Sequence, residues 1–365
     1  MNEYRAGTKR VDMPLLIAVL ALVLFGMVML YSTSSYNGLV KFSDSFYYVK
    51  KQLFATVLGM AVMYVVANTD YHVWHSYASV GYLLSAVLST LVLFVGSEIN
   101  GSKRWLSIGP LSFQPSELAK VALIVFLARM VAEKGKAVER FQGMFLVILS
   151  ALPIVGLVGS NNLSTAIIIL GIAVALIFVA SSRYLQFLAI GALGVSFVGV
   201  FLAMESYRLE RLKIWLAPEK YEKGYQTLQG LYAIGSGGVF GVGYGNGKQK
   251  LGFVPEAQND MIFSIICEEL GLVGAGCLIF LFGILIWRLM VVASHTKELY
   301  GCLVVTGIMV HIMIQVVLNI AVVTNTIPNT GITLPFVSYG GTSVLFLLAE
   351  MGIALNISRF IRKEH

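Results

Sequence analysis

Long apolar runs separated by short polar connectors fill most of the chain, and each run is close to the roughly 20 residues that carry an α-helix across a bilayer. They fall at 13–32, 50–68, 75–96, 116–132, 142–159, 163–181, 185–204, 262–290, 300–324 and 340–357. This pattern predicts an all-α polytopic membrane protein of about ten transmembrane helices. The fourth and fifth runs are the least regular, because Lys120 and Arg129 punctuate one and Pro153 the other. The first run follows Arg5, Lys9 and Arg10, yet it is too long for a signal-peptide core and lacks a small-residue cleavage site, so it is expected to stay as a helix. Between the seventh and eighth runs the alternation stops, and 205–259 reads as one long loop. Residues 1–365 are read as a single integral domain with short tails at 1–12 and 358–365.

Composition agrees with that pattern. The chain is 57% hydrophobic and 12% charged, against roughly 25% charged in soluble domains, and its mean hydropathy is +0.80. Basic residues in short loops set orientation. With the N-terminus inside, the cytoplasmic side holds Arg5, Lys9, Arg10, Arg129, Lys134, Lys136, Arg140, Arg183, Arg288, Lys297, Arg359, Arg362 and Lys363. The short outer loops hold only Lys41, Lys50, Lys51, Lys103, Arg104 and Lys120. Both tails are therefore expected in the cytoplasm and the 205–259 loop outside it. A net charge of +7 suits an anionic membrane surface or anionic lipid substrates. No soluble basic domain is present to carry nucleic acid. Cys267, Cys277 and Cys302 lie within spans, with neither a disulfide framework nor zinc spacing, and read as packing residues.

Polar chemistry collects in a few places. In 100–120, Pro115 and Ser116 open a helix on which Glu117 and Lys120 share a face, with Lys120 about 4.5 Å deeper by helix rise. Beside Lys103 and Arg104 this pair makes either a cationic rim for a phosphate or an intrahelical ion pair with a snorkelling lysine. Further along, Tyr207–Trp215 alternates basic and apolar residues like a helix lying in the headgroup layer. The glycine-dense stretch 235–247 fails the Walker pattern, since Gln249 follows Lys248 and Val242 replaces the first glycine; its glycines are expected to let backbone approach a helix or substrate closely.

Asp260 stands in an acid-rich segment, 254–271, that leads into the eighth span. A carboxylate at a bilayer edge is costly to place, so a reacting group is the leading reading; an N-cap made by Asn259 and Asp260 is the bland one. In the ninth span His311, Gln315 and Asn319 form one polar stripe, read as interhelical hydrogen bonding ahead of a proton path. The broken backbone through Ser338–Ser343 is expected to line a cavity or be covered by protein. Glu350, midway along the tenth span, is expected to face the bundle interior, with no role assigned.

These segments together resemble the SEDS family of shape, elongation, division and sporulation proteins, which are peptidoglycan polymerases. The likeness rests on Tyr31–Ser34, Asn100-Gly-Ser-Lys-Arg-Trp105, Gln114-Pro-Ser-Glu-Leu-Ala-Lys120, Gln229-Gly-Leu-Tyr-Ala-Ile-Gly-Ser-Gly-Gly238, Pro255-Glu-Ala-Gln-Asn-Asp260 with Glu268-Glu-Leu-Gly271, and Thr330–Gly341. Thr333 resembles the division and sporulation branch (FtsW and SpoVE), since the elongation branch usually has proline there. Asn162, Asn259 and Gly230 depart from the residues common at those positions.

The resemblance implies a ten-helix fold in a bacterial cytoplasmic membrane with both termini inside, matching the charge-derived topology. It implies that Asp260 is the essential acid and that Arg104, Glu117, Lys120 and Glu256 line an outer cavity. Lys103, Gln114, Gln229, Ser338 and Ser343 complete the expected substrate contacts. The implied reaction joins two lipid II molecules, with Asp260 as general base and Arg104 and Lys120 on the departing pyrophosphate. The implied partners are a class B penicillin-binding protein transpeptidase and other divisome proteins. The sequence specifies no cofactor, and a divalent cation (Mg or Mn) shared with Asp260 or Glu256 is compatible with the site but not demanded by any ligand constellation. A lipid II flippase and a non-catalytic scaffold are the alternatives.

Overall fold

The computed structural model describes residues 11–99, 102–108, 111–181, 191 and 212–361. The apolar runs become helices α1 (Met13–Phe42), α2 (Tyr47–Asn68), α3 (His72–Val95), α4 (Pro115–Lys134), α5 (Phe141–Gly159), α6 (Leu163–Ala180), α8 (Ile262–His295), α9 (Leu299–Val323) and α10 (Gly341–Ser358), with α7 (Tyr225–Gly237) preceding α8 in the long loop. The run expected at 185–204 apart from residue 191, most of the basic segment from Tyr207, and Arg5, Lys9, Arg10, Arg183, Arg362 and Lys363 lie outside the described residues. Eight of these helices are long and apolar enough to cross a membrane. α7 is too short, and α4 falls out because Glu117, Lys120, Arg129, Glu133 and Lys134 lower its hydropathy.

Local chemistry sets the helix ends. Asp12 caps α1 by accepting the Leu15 N–H at 2.9 Å, with Pro14 in the first turn. Pro115 opens α4, where its missing N–H leaves no bond unmade. Asn162 caps α6 by accepting the Thr165 N–H at 3.2 Å. Pro153 sits inside α5 without ending it.

α10 packs along α2, α3 along α4, α5 along α6, and α9 fills the centre against α4, α6 and α8. The Asp12 N–H donates to Ser358 Oγ at 3.0 Å, so the start of α1 and the end of α10 lie at the same end of the bundle. The starts of α2, α4, α6, α8 and α10 gather at the other.

Two features were not anticipated. A small antiparallel sheet, ordered β1 (Ser97–Ile99), β2 (Ser102–Ile108), β3 (Leu111–Phe113), bridges α3 and α4, with Ile99 paired to Ser102 and Ser107 to Ser112. α8 is broken at Gly271, which has φ 67°. There the glycine-rich segment of the long loop docks into the gap: Val242 and Gly243 donate to the carbonyls of Glu268 and Glu269, and Leu272 and Val273 donate to those of Gly238 and Val239. A Cβ on Gly271 would stand 2.3 Å from the Gly241 nitrogen, so only glycine permits this approach. The glycine-dense segment thus approaches a helix.

Candidate active site

The converging helix starts enclose a cavity of about 1240 Å³. Its polar wall carries Arg104 from β2, Gln114 ahead of α4, Glu117 and Lys120 on α4, Asn162 at the start of α6, Glu256, Asn259 and Asp260 ahead of α8, and Ser343 in the first turn of α10. Its apolar wall carries Phe54, Ala55 and Leu58 of α2 with Leu345 and Phe346 of α10. Phe54 is 63% exposed, so this wall continues onto the lipid-facing surface of α2.

Asp260 is half-buried two residues ahead of α8. It is not the helix cap: Met261 holds the N-cap position, and no side chain bonds there. Its backbone carbonyl instead accepts Asn319 Nδ2 at 2.8 Å, and the same amide donates to the Ile332 carbonyl at 2.7 Å, fixing Asp260 against the 330–335 turn. Gln226 Nε2 reaches the carboxylate at 3.4 Å, while Gln226 Oε1 accepts Asn329 Nδ2 at 3.4 Å. Burial, with Glu256 nearby, pushes the Asp260 carboxyl up to about 7, against the pull of the Gln226 bond and the Asp260 and Met261 N–H groups.

Glu117 and Lys120 form an ion pair at 3.0 Å. Lys120 is only 2% exposed, so the ammonium stays in the cavity wall rather than snorkelling to water. An ammonium has three donors, and Glu117 engages one. Arg104 Nε donates to the Asn161 carbonyl at 2.9 Å, which anchors the sheet over the cavity.

The structure gathers Asp260, Arg104, Gln114, Glu117, Lys120, Glu256 and Ser343 in one place. Two expected contacts stand apart. Gln229 lies on α7 away from the cavity lining, and Gln226, one turn earlier, takes the position near Asp260. Ser338 is 3% exposed and its hydroxyl accepts the Leu334 N–H at 2.8 Å, a turn-closing role. The side chain of Lys103 lies outside the described residues. Sequence reading missed Gln226, and also Lys50, Lys51, Thr165 and Thr333 on the wall.

The polar stripe of α9 behaves as interhelical glue. His311 Nδ1 lies 2.9 Å from Glu350, giving that acid a partner; Gln315 Nε2 donates to the Thr333 carbonyl at 3.0 Å; and Asn319 holds Asp260. Among the described residues no group of three or more His, Cys, Asp and Glu side chains forms a metal cluster. Glu256 and Asp260 supply two carboxylates, which fits magnesium-type sites completed by substrate phosphates rather than an all-protein cage.

Residues 13–363 match the family model FtsW/RodA/SpoVE, described as "Cell cycle protein". The chain is 40% identical to stage V sporulation protein E of Bacillus subtilis, over 96% of this chain and 98% of that one. It is 37% identical to a probable peptidoglycan glycosyltransferase FtsW of Trichlorobacter lovleyi, over 95% and 93%. A solved structure described as "Structural coordination of polymerization and crosslinking by a peptidoglycan synthase complex" superposes with a TM-score of 0.82 at 30% identity, over 96% of this chain and 98% of that one. The crystal structure of Thermus thermophilus rod shape determining protein RodA superposes at 0.71 with 29% identity, over 97% and 98%. With its fold and nearly its whole length matched, this chain belongs to the FtsW/RodA/SpoVE family of cell cycle proteins.

Proposed function

We propose that this protein is a peptidoglycan glycosyltransferase that polymerises lipid II at the outer face of a bacterial cytoplasmic membrane, in division or sporulation. The observation that carries this reading is the composition of one cavity: a raised-pKa carboxylate at 260, fixed cations at 104 and 120, and an apolar wall continuous with the lipid-facing surface. A substrate that is part sugar, part pyrophosphate and part polyprenyl chain presents those chemistries in one molecule.

The 4-hydroxyl of the acceptor GlcNAc attacks the anomeric carbon of the donor MurNAc. The hydroxyl proton passes to Asp260, a new glycosidic C–O bond forms, and the C–O bond to undecaprenyl pyrophosphate breaks with its electron pair leaving on oxygen. A base near 7 is better matched to that transfer than one near 4, and positioned general bases typically contribute about 10²–10⁴-fold. Arg104 and the remaining donors of Lys120 face the charge growing on the pyrophosphate, where fixed cations in a desolvated wall act strongly. Glu117 holds Lys120 in place. A divalent ion, if the pyrophosphate brings one, would rest on Glu256 and Asp260 and add charge neutralisation at the leaving group.

Orientation follows from charge. Arg129, Lys134, Arg140, Arg288, Lys297 and Arg359 lie at the end opposite the cavity, which supports cytoplasmic termini and an outward-facing site. The synthase-complex neighbour, whose description joins polymerisation to crosslinking, supports a partner that crosslinks the strands; the partners proposed are a class B penicillin-binding protein and other divisome proteins.

The test is the purified protein in vesicles with labelled lipid II, its cognate transpeptidase added. Glycan strands are expected. Scrambling of lipid II between leaflets without any polymer would replace the polymerase with a flippase, and neither activity would leave a scaffold.

A further inference from the structure

Outside the cavity, a second charged cluster is buried in the outer half of the bundle. Lys250 Nζ lies 2.5 Å from Glu269 Oε1 and also donates to Ser32 Oγ at 2.7 Å and to the Gly245 carbonyl at 2.9 Å. Glu269 is fully buried and Lys250 is 4% exposed. The second Glu269 oxygen accepts Ser32 Oγ at 2.7 Å and the Gly245 N–H at 3.1 Å. Next to it, Glu268 Oε1 accepts the N–H groups of Lys248 and Gln249 at 2.7 and 3.1 Å. None of these residues lines the cavity.

The cluster has a geometric consequence for Asp260. Glu268 and Glu269 stand two turns inside the first segment of α8, and Asp260 stands just before that segment begins. By gripping 245–250, the two acids close the intervening chain into a ring whose far side presents Glu256, Asn259 and Asp260 to the cavity. The break at Gly271 separates this segment from the rest of α8, so the long transmembrane stretch does not set its position alone. α1 does part of that. Besides Ser32, Val28 accepts Tyr244 Oη through its carbonyl at 2.9 Å, and Asn37 donates to Gln258 Oε1 at 3.1 Å.

We infer that Lys250, Glu269 and Ser32 form a positioning clasp that ties the Asp260 ring to α1 and holds the carboxylate at its reacting position. A buried ion pair is poor value as a stabiliser, since a well-packed apolar pair often does as well or better. Its directional bonds to a hydroxyl and a carbonyl fix the register of a loop, which apolar packing does less sharply. The inference rests on Asp260 acting in polymerisation.

The experiment uses the full chain in nanodiscs with its transpeptidase partner and lipid II, comparing wild type, Lys250→Met, Lys250→Arg, Ser32→Ala and Asp260→Asn. Misplacing a reacting group by about an ångström costs up to about 100-fold. Lys250→Met is therefore expected to lower kcat by about 10- to 100-fold while KM stays within about twofold, with Lys250→Arg recovering most of the loss. The acid limb of the rate profile should move to lower pH in Lys250→Met, because a slackened Asp260 meets more water. Ser32→Ala, which removes one hydroxyl, should show the same changes in weaker form and covers the case in which Lys250→Met does not fold. Wild-type kcat and an unmoved acid limb in these variants, with Asp260→Asn inactive, would overturn the clasp alone. Equal losses in Lys250→Met and Lys250→Arg with an unmoved limb would reduce it to a folding element. Full activity in Asp260→Asn would overturn both readings.

Discussion

Two lysine–glutamate pairs are buried at the same end of this bundle, and they do different work. Glu117–Lys120, at 3.0 Å, sits in the wall of an open cavity, with a raised carboxylate and an arginine on the same surface. Glu269–Lys250, at 2.5 Å, is closed over by α1, the glycine-rich segment and the first segment of α8, with its polar atoms turned to a hydroxyl and to backbone. Buried charge by itself therefore does not mark a reacting site. What distinguishes the first pair is space beside it that a ligand's charge can enter, and donors left over to meet that charge.

Predictions that test this contrast run from large effects to small. Asp260→Asn should reduce turnover about 10²–10⁴-fold with lipid II binding retained, measured by strand formation and by equilibrium binding. Lys120→Met should cost about 10²–10³-fold in kcat, as loss of one charge-stabilising donor does. The loss from Lys250→Met should be smaller, and only there should arginine restore the rate; equal behaviour at the two lysines would erase the distinction drawn above.

Gly271→Ala should destabilise the fold by about 1–3 kcal/mol in chemical unfolding, because φ is positive and the approach of Gly241 leaves no room for a methyl group. The smallest effect concerns Asp260 and stability. Its folded pKa of about 7 lies above the ordinary aspartate value of 3.8, so the folded state binds the proton more tightly. That contribution to stability is full below the unfolded value and is lost as pH rises through about 7. Asp260→Asn, which cannot ionise, should therefore unfold at a slightly higher temperature than wild type above neutral pH, while being far less active.

Much of the scaffold was legible because bilayer crossing imposes a length and an apolarity that composition cannot hide. The fourth run illustrates the limit: Lys120 made it look irregular, and that irregularity falls in the cavity wall. Glu117 and Lys120 were readable as neighbours because helix periodicity puts positions three apart on one face.

Pairings across distant segments were not readable. His311 meets Glu350, Lys250 meets Ser32, and Asn319 meets the Asp260 carbonyl only once the bundle is assembled. Gln226 was passed over in favour of Gln229, because a loop of this length gives no face from which to choose between residues one turn apart. The β-sheet was missed because its strands are short and sit between apolar runs. The Asn100-Gly101 dipeptide, which falls between the paired Ile99 and Ser102, is the hairpin signal that announces it.

The proposed polymerisation depends on an ionisable carboxylate at position 260 removing the acceptor's proton. The most direct measurement is the rate of glycan-strand formation from lipid II between about pH 5 and pH 9, for wild type and Asp260→Asn side by side, across the range in which Asp260 titrates. A wild-type rate that climbs through about 7, over a variant that is flat and at least about 100-fold slower, is the predicted result. A variant that keeps both the wild-type rate and its rising limb would contradict it.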